Sequence, residues 1–305
     1  MNNPVHTAAQ DRAARGAFGG ASWNSRNTGR LLIWIAGIAV VMNGVFPLVW
    51  MLLTSLKPEG ELSRLPITYF PDAVTLSNYA TVLGLNPNDP SPKPFWRWFG
   101  NSALISLVSA GLCVWISSQV AYVIARMNIR GRGVILAVIA GISMFPLITL
   151  IVPLFQTMRA LGLLNTHLAL IIPYTVLSLP VCTLMMVGFF QQIPRDLENA
   201  AMVDGCTRAQ ALWKVVFPLS APGVFTAAIL AFVNAWEEFL LALTLIQRED
   251  MRTLAVGITL YQGEFAFPWA LISAALVLAM VPVAVVVVMF QDRVVSGLTA
   301  GGVKG

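Results

Sequence analysis

The sequence predicts an all-α membrane protein built from six transmembrane helices. Three observations predict it. The 305 residues are 57% hydrophobic and only 11% charged, whereas soluble domains carry about a quarter charged residues. Mean hydropathy is +0.75. Six apolar segments are each long enough to cross about 30 Å of hydrocarbon. They far exceed the length of a barrel strand, so helices are the expected spans, with every backbone group bonded internally.

Taken in order, residues 1–29 are polar, with Arg12, Arg15 and Arg26 leading up to Arg30, and read as a disordered cytoplasmic tail. The apolar run Leu31–Leu56 is too long for a cleaved signal peptide. It is expected to stay as the first span, kinked at Pro47. Residues 57–98 form the longest loop and are rich in proline. The group Phe95, Trp96, Trp98 and Phe99 is expected to form an interfacial aromatic belt, with docking of a soluble partner as the lesser alternative. The second span is expected over Phe99–Ile124, followed by a tight loop carrying Arg126, Arg130 and Arg132. The third covers Val134–Thr157 and contains Pro146 and Pro153. The fourth contains Pro173 and Pro180 and ends near Phe190. A polar stretch at 191–220 separates it from the fifth span, Ala221–Ile246. The loop after that carries Arg248, Glu249, Asp250 and Arg252, and the sixth span is Trp269–Phe290. The membrane domain is therefore expected over 30–291, with a tail at 292–305. Most intramembrane prolines are expected as static kinks. Pro173 and Pro180 are the exceptions, because their span leads straight into the polar stretch.

With the N-terminus inside, the larger share of the nineteen Lys and Arg residues falls on the cytoplasmic side. Six spans then put both termini and the polar stretch in the cytoplasm. The net charge of +5 follows from this bias and does not call for nucleic acid. Cys113, Cys182 and Cys206 suggest neither a disulfide nor a metal site, and His6 and His167 are too far apart for a cluster.

The polar stretch has its own local logic. Pro194 suits a first helical turn, so a helix is expected over Arg195–Val203, with Leu197, Ala200 and Ala201 leaving one face small. Asp204-Gly205 stops it, Gly205 being free to take a left-handed conformation. Thr207 starts a second helix and completes a capping box with Gln210. Ala209, Leu212, Trp213 and Val216 follow helical spacing, and Pro218 is expected to end this helix near Phe217. A small-faced helix with polar flanks suits a groove on a partner. An ordinary amphipathic loop packed on its own bundle is the competing reading.

The order of Glu198, Ala200, Ala201, Asp204, Gly205, Trp213 and Pro218 resembles the cytoplasmic signature of ABC importer permeases. Asn199 stands where the family has the first residue of its Glu-Ala-Ala triplet, with Glu198 just before it. The C-terminal run through Gly297, Leu298, Thr299, Gly301 and Lys304 resembles the end of the smaller permease of maltose- and trehalose-type carbohydrate importers, departing from it at Asp292 and Gly302. The resemblance covers about residues 30–305. It implies a type I importer permease fold, a coupling loop at 191–220, and a tail that contacts ATPase subunits. It also implies a second permease subunit, an ATP-binding cassette dimer, an extracytoplasmic sugar-binding protein and a sugar substrate. Transport would work by alternating access in the cytoplasmic membrane. ATP and Mg would sit on the partner ATPase. No G-x-x-x-x-G-K-[ST] loop is present here, so the chain is expected to carry no cofactor and no enzymatic activity.

Among the fourteen acids, Glu237 and Glu238 are the pair inside an apolar span, where charge is costly and marks a pathway or a partner. Asn234 is three and four residues before them, and Leu241 and Thr244 are expected to extend the same face. A lining of the translocation path and a structural polar contact both fit. The family usually shows Trp-Asn followed by an acid here. Trp236 and Glu238 match, and Glu237 replaces the Asn. An ion-coupled secondary transporter using Glu237 or Glu238, and an ABC permease for another solute such as glycerol phosphate, are the alternatives.

Overall fold

The computed structural model describes the backbone of residues 22–263 and 267–302, and side chains from Arg30 to Phe290 outside 264–266. Its described residues form helices joined by turns and loops, without strands. Four helices are long and apolar enough to cross a membrane, and two bent pairs bring the number to six when each counts as one span.

The chain divides into two compact units, residues 1–53 and 54–305. The first holds most of helix α1 (Ser22–Ser55), whose apolar part runs from Arg30 to Ser55 and contains Pro47. Phe46 and Trp50 stack along it.

In the second unit, the long loop before the next span is ordered around two short helices, α2 (Glu59–Leu62) and α3 (Ser77–Val82). Lys57 and Glu61, both buried, pair at 3.7 Å. Thr68 donates to Glu61 Oε1 at 2.6 Å, and Lys57 donates to Thr68. Asn78 ties the next turn back to the carbonyls of Ser55 and Lys57.

Helix α4 (Phe95–Arg126) is the central member, packing on α7 (Leu168–Gln192) and on α11 (Ala221–Glu237). Its first turn departs from the expected aromatic belt. Phe95 and Trp98 are buried, and of the four aromatics Trp96 is the exposed one. The reason is tertiary. Trp98 donates its indole N–H to Glu249 O at 2.8 Å and lies flat against Gly257, where an added Cβ would come within 2.2 Å of the ring. Asn101 donates to the carbonyls of Asp250 and Arg252, and Ser102 accepts from Leu254 N–H.

The third span is not one helix. α5 (Arg132–Ser143) and α6 (Leu147–Ala160) meet at 87°. Pro146 caps α6 in an extended conformation, and its missing N–H and its restraint on Phe145 stop the incoming helix. Pro173 and Pro180 instead lie inside a continuous α7. The sharp break thus falls at Pro146.

The polar stretch folds into α8 (Arg195–Val203), α9 (Arg208–Ala211), a π turn (Leu212–Val216) and α10 (Phe217–Leu219). The fifth span also departs from expectation. α11 ends at Glu237, Glu238 is extended, and a separate short helix α12 (Leu240–Leu245) follows. After α13 (Leu254–Thr259), α14 runs from Trp269 through Pro282 to Gly302, and its apolar part, Trp269–Phe290, has the bounds expected of the sixth span.

Candidate functional site

Two regions of the second unit combine exposed surface with polar side chains placed by packing. The first is the stretch between α7 and α11. α8 begins after Pro194, and Asp204 and Gly205 end it, Gly205 at φ +91°. That left-handed backbone costs an L-residue roughly 1 kcal/mol and a glycine nothing comparable. The capping box is present in both directions: Gln210 N–H donates to Thr207 Oγ1 and Thr207 N–H donates to Gln210 Oε1.

Glu198, however, faces inward. It is 6% exposed, pairs with Arg126 Nε at 3.4 Å and accepts from the Tyr122 hydroxyl. Glu198, Ala201 and Met202 turn toward the bundle at i, i+3 and i+4, while Leu197, Asn199, Ala200 and Val203 face out. The stretch is therefore bolted to the last turns of α4 by one buried carboxylate. No periodicity reveals this, because Glu198 and Asp196 look alike in sequence.

The second helix is corrected in two respects. The buried set is Ala211, Leu212 and Val216, whereas Ala209 and Trp213 are exposed. The π turn adds a residue to the repeat and rotates the faces that a regular helix would give. The chain also continues through Pro218 to Leu219 and turns only at Ser220. Widening the turn before a proline accommodates its ring and its missing N–H, so Pro218 does not end the helix. Ser220 donates to Val216 O at 2.6 Å, and the segment Arg208–Leu219 then meets α11 at 85°. Here Gly223 lies directly on the Phe189 ring. A cleft of about 360 Å³ flanks the stretch, with Leu197, Pro194, Leu219 and Pro222 in its walls.

The second region is a cavity of about 640 Å³. Its walls are the α5–α6 break (Ser143, Phe145, Leu147), the middle of α7 (Tyr174, Ser178, Pro180) and the α11–α12 break (Asn234, Ala235, Glu238). Glu238 makes the break. Its Oε1 accepts from Leu241 N–H at 2.9 Å and its Oε2 from Ala242 N–H at 3.2 Å, so the side chain caps α12 instead of extending α11. Tyr174, 3% exposed, donates to Oε2 at 2.6 Å. The polar stripe expected on one continuous helix is thereby overturned. Asn234 and Glu238 share the cavity, Glu237 is exposed outside its lining, Leu241 is fully buried core, and Thr244 bonds its own helix at Leu240 O. Tyr174 escaped the sequence reading because a tyrosine in an apolar run carries no local sign of its partner.

Gly297, Leu298, Thr299 and Gly301 lie on the α14 backbone beyond the described side chains, and Lys304 lies outside the described residues. Among the described residues no group of three or more His, Cys, Asp or Glu is placed to hold a metal ion.

Residues 117–299, which include both regions, match the model of the family described as the binding-protein-dependent transport system inner membrane component. The chain belongs to this family. It is a multi-pass inner-membrane permease component. Over 278 residues it is 59% identical to the sulfoquinovosyl glycerol transport system permease protein SmoH of Agrobacterium fabrum, covering 91% of this chain and 95% of that one. It is 37% identical to the trehalose/maltose transport system permease protein MalG of Thermococcus litoralis, covering 90% and 97%. The fold is that of one chain in the crystal structure of a bacterial ABC transporter involved in the import of the acidic polysaccharide alginate. The TM-score is 0.75 at 23% identity, covering 89% of this chain and 98% of that one.

Proposed function

We propose that this chain is one permease subunit of an ATP-driven, binding-protein-dependent importer of di- or oligosaccharides. It pairs with a second permease, and a separate ATPase dimer and an extracytoplasmic sugar-binding protein complete the complex. The observation that carries the coupling role is the inward anchoring of Glu198, which leaves Asn199, Ala200, Asp204, Gly205 and Trp213 outward on a rigid stretch. Alternating access then follows as rigid-body movement. Closure of the ATPase dimer displaces α8, and the Glu198–Arg126 and Glu198–Tyr122 contacts pass that displacement to α4. The relatives that serve transport of sulfoquinovosyl glycerol and of trehalose/maltose support a glycoside. Both termini are cytoplasmic in this reading, and the tail through Gly297, Leu298, Thr299, Gly301 and Lys304 contacts the ATPase. Asn234 and Glu238 line the translocation path, and Glu237 does not. An ion-coupled transporter is not favoured, because membership of a binding-protein-dependent family calls for a separate ATPase.

The test is mild-detergent purification of the tagged chain with mass-spectrometric identification of its partners, followed by transport in proteoliposomes. Gly205→Pro and Ala200→Trp, both on the outward side of the stretch, are expected to abolish sugar transport while the protein stays in the membrane. Normal transport by both variants overturns the coupling role. A chain that transports alone, and stops on addition of an uncoupler, overturns the importer.

A further inference from the structure

The 640 Å³ cavity is built from chemistry that the coupling function does not use. Two of its three walls are places where a helix is interrupted, and irregular backbone at membrane depth is tolerated where it lines a cavity. Its volume lies within the range of small-molecule sites. Most of its lining is apolar, with Glu238, Tyr174 and Asn234 as convergent polar groups.

The hydrogen-bond inventory shows what these groups still lack. The Glu238 carboxyl accepts from Leu241 N–H, Ala242 N–H and the Tyr174 hydroxyl and keeps further lone-pair capacity. Tyr174 spends its proton there and keeps its oxygen as an acceptor. Both therefore call for hydroxyl donors. Asn234 is exposed and supplies one acceptor and two donors. Among the described residues no Lys or Arg lines the cavity, so an anionic group would find no cationic partner there. A sugar offers hydroxyls around an apolar C–H face and matches such a lining.

We propose that this cavity is a saccharide subsite on this chain, taking the neutral, hydroxyl-bearing face of one pyranose ring through Glu238, Tyr174 and Asn234. The proposal rests on the importer reading. It adds that sugar is held by this subunit and that any sulfonate or carboxylate of the substrate points out of the cavity.

The test uses the complete importer in nanodiscs, with Ser143→Cys on the cavity wall in a Cys206→Ser background. Maleimide labelling is followed with and without whichever of sulfoquinovosyl glycerol, trehalose and maltose the wild-type complex transports. The sugar is expected to slow labelling of Ser143→Cys and to leave Thr149→Cys, on α6 outside the lining, unchanged. Asn234→Ala and Tyr174→Phe each remove one hydrogen bond and are expected to raise the sugar concentration needed for protection about tenfold. Transport without protection, equal protection in both variants, or a site blocked with and without sugar by a partner side chain overturns the subsite alone. A complex that assembles but transports none of the sugars overturns the importer reading, and the subsite with it.

Discussion

Replacing Glu198 by alanine should release α8 from the bundle. Glu198 and Arg126 side chains are 8% and 3% exposed and 3.4 Å apart, so solvent screens the pair little. Among the described residues, Arg126 Nε and Nη2 have no hydrogen-bond partner. Removing the carboxylate leaves a buried guanidinium without compensation, which costs about 3 kcal/mol or more, and it also strips the Tyr122 hydroxyl of its acceptor. Because the stretch is at the surface, the cost appears as local opening, not global unfolding. Amide exchange of residues 199–204 should therefore accelerate by about a hundredfold, the equivalent of about 3 kcal/mol. Hydrogen-exchange mass spectrometry of the purified complex reads this directly. The double substitution Glu198→Leu with Arg126→Met should be milder than Glu198→Ala, because an apolar pair leaves no stranded charge. The coupling energy from the full cycle should be about 2 kcal/mol. Unchanged exchange in Glu198→Ala, or a double variant worse than both single ones, would show that the buried pair does not anchor the stretch.

Two further outcomes follow from packing and charge around the 57–98 loop. Gly257→Ala places a Cβ within 2.2 Å of the Trp98 ring and should destabilise the detergent-solubilised protein by about 1–3 kcal/mol. A lowered melting temperature checks this, and Trp98→Leu in the same chain should restore part of the loss. The Thr68 hydroxyl holds the Glu61 carboxyl below its ordinary value of 4.5. A depressed carboxyl stabilises fully above its unfolded value and loses that contribution as pH falls through the folded one. Protease resistance of the 57–82 loop should thus be flat from neutral pH to about 5 and fall below 4.5, and Glu61→Gln should remove that dependence.

Much of this protein is legible in its sequence. Four of the six apolar runs are continuous helices as their length and hydropathy predict, while the breaks in the third and fifth are not written in hydropathy. The ends of α8 and α9 are legible too. Pro194, Gly205 and the Thr207–Gln210 box act over three or four residues, and their conformations depend on little beyond the chain itself. The tertiary structure decided what the acids do. Glu198 meets Tyr122 across 76 positions and Glu238 meets Tyr174 across 64. The direction in which each carboxylate turns is set by partners that no local pattern encodes. The same holds for Trp98, whose acceptor is 151 residues away, and for the π turn before Pro218. Burial of a polar group requires a distant donor or acceptor, and only the packed fold brings the two together.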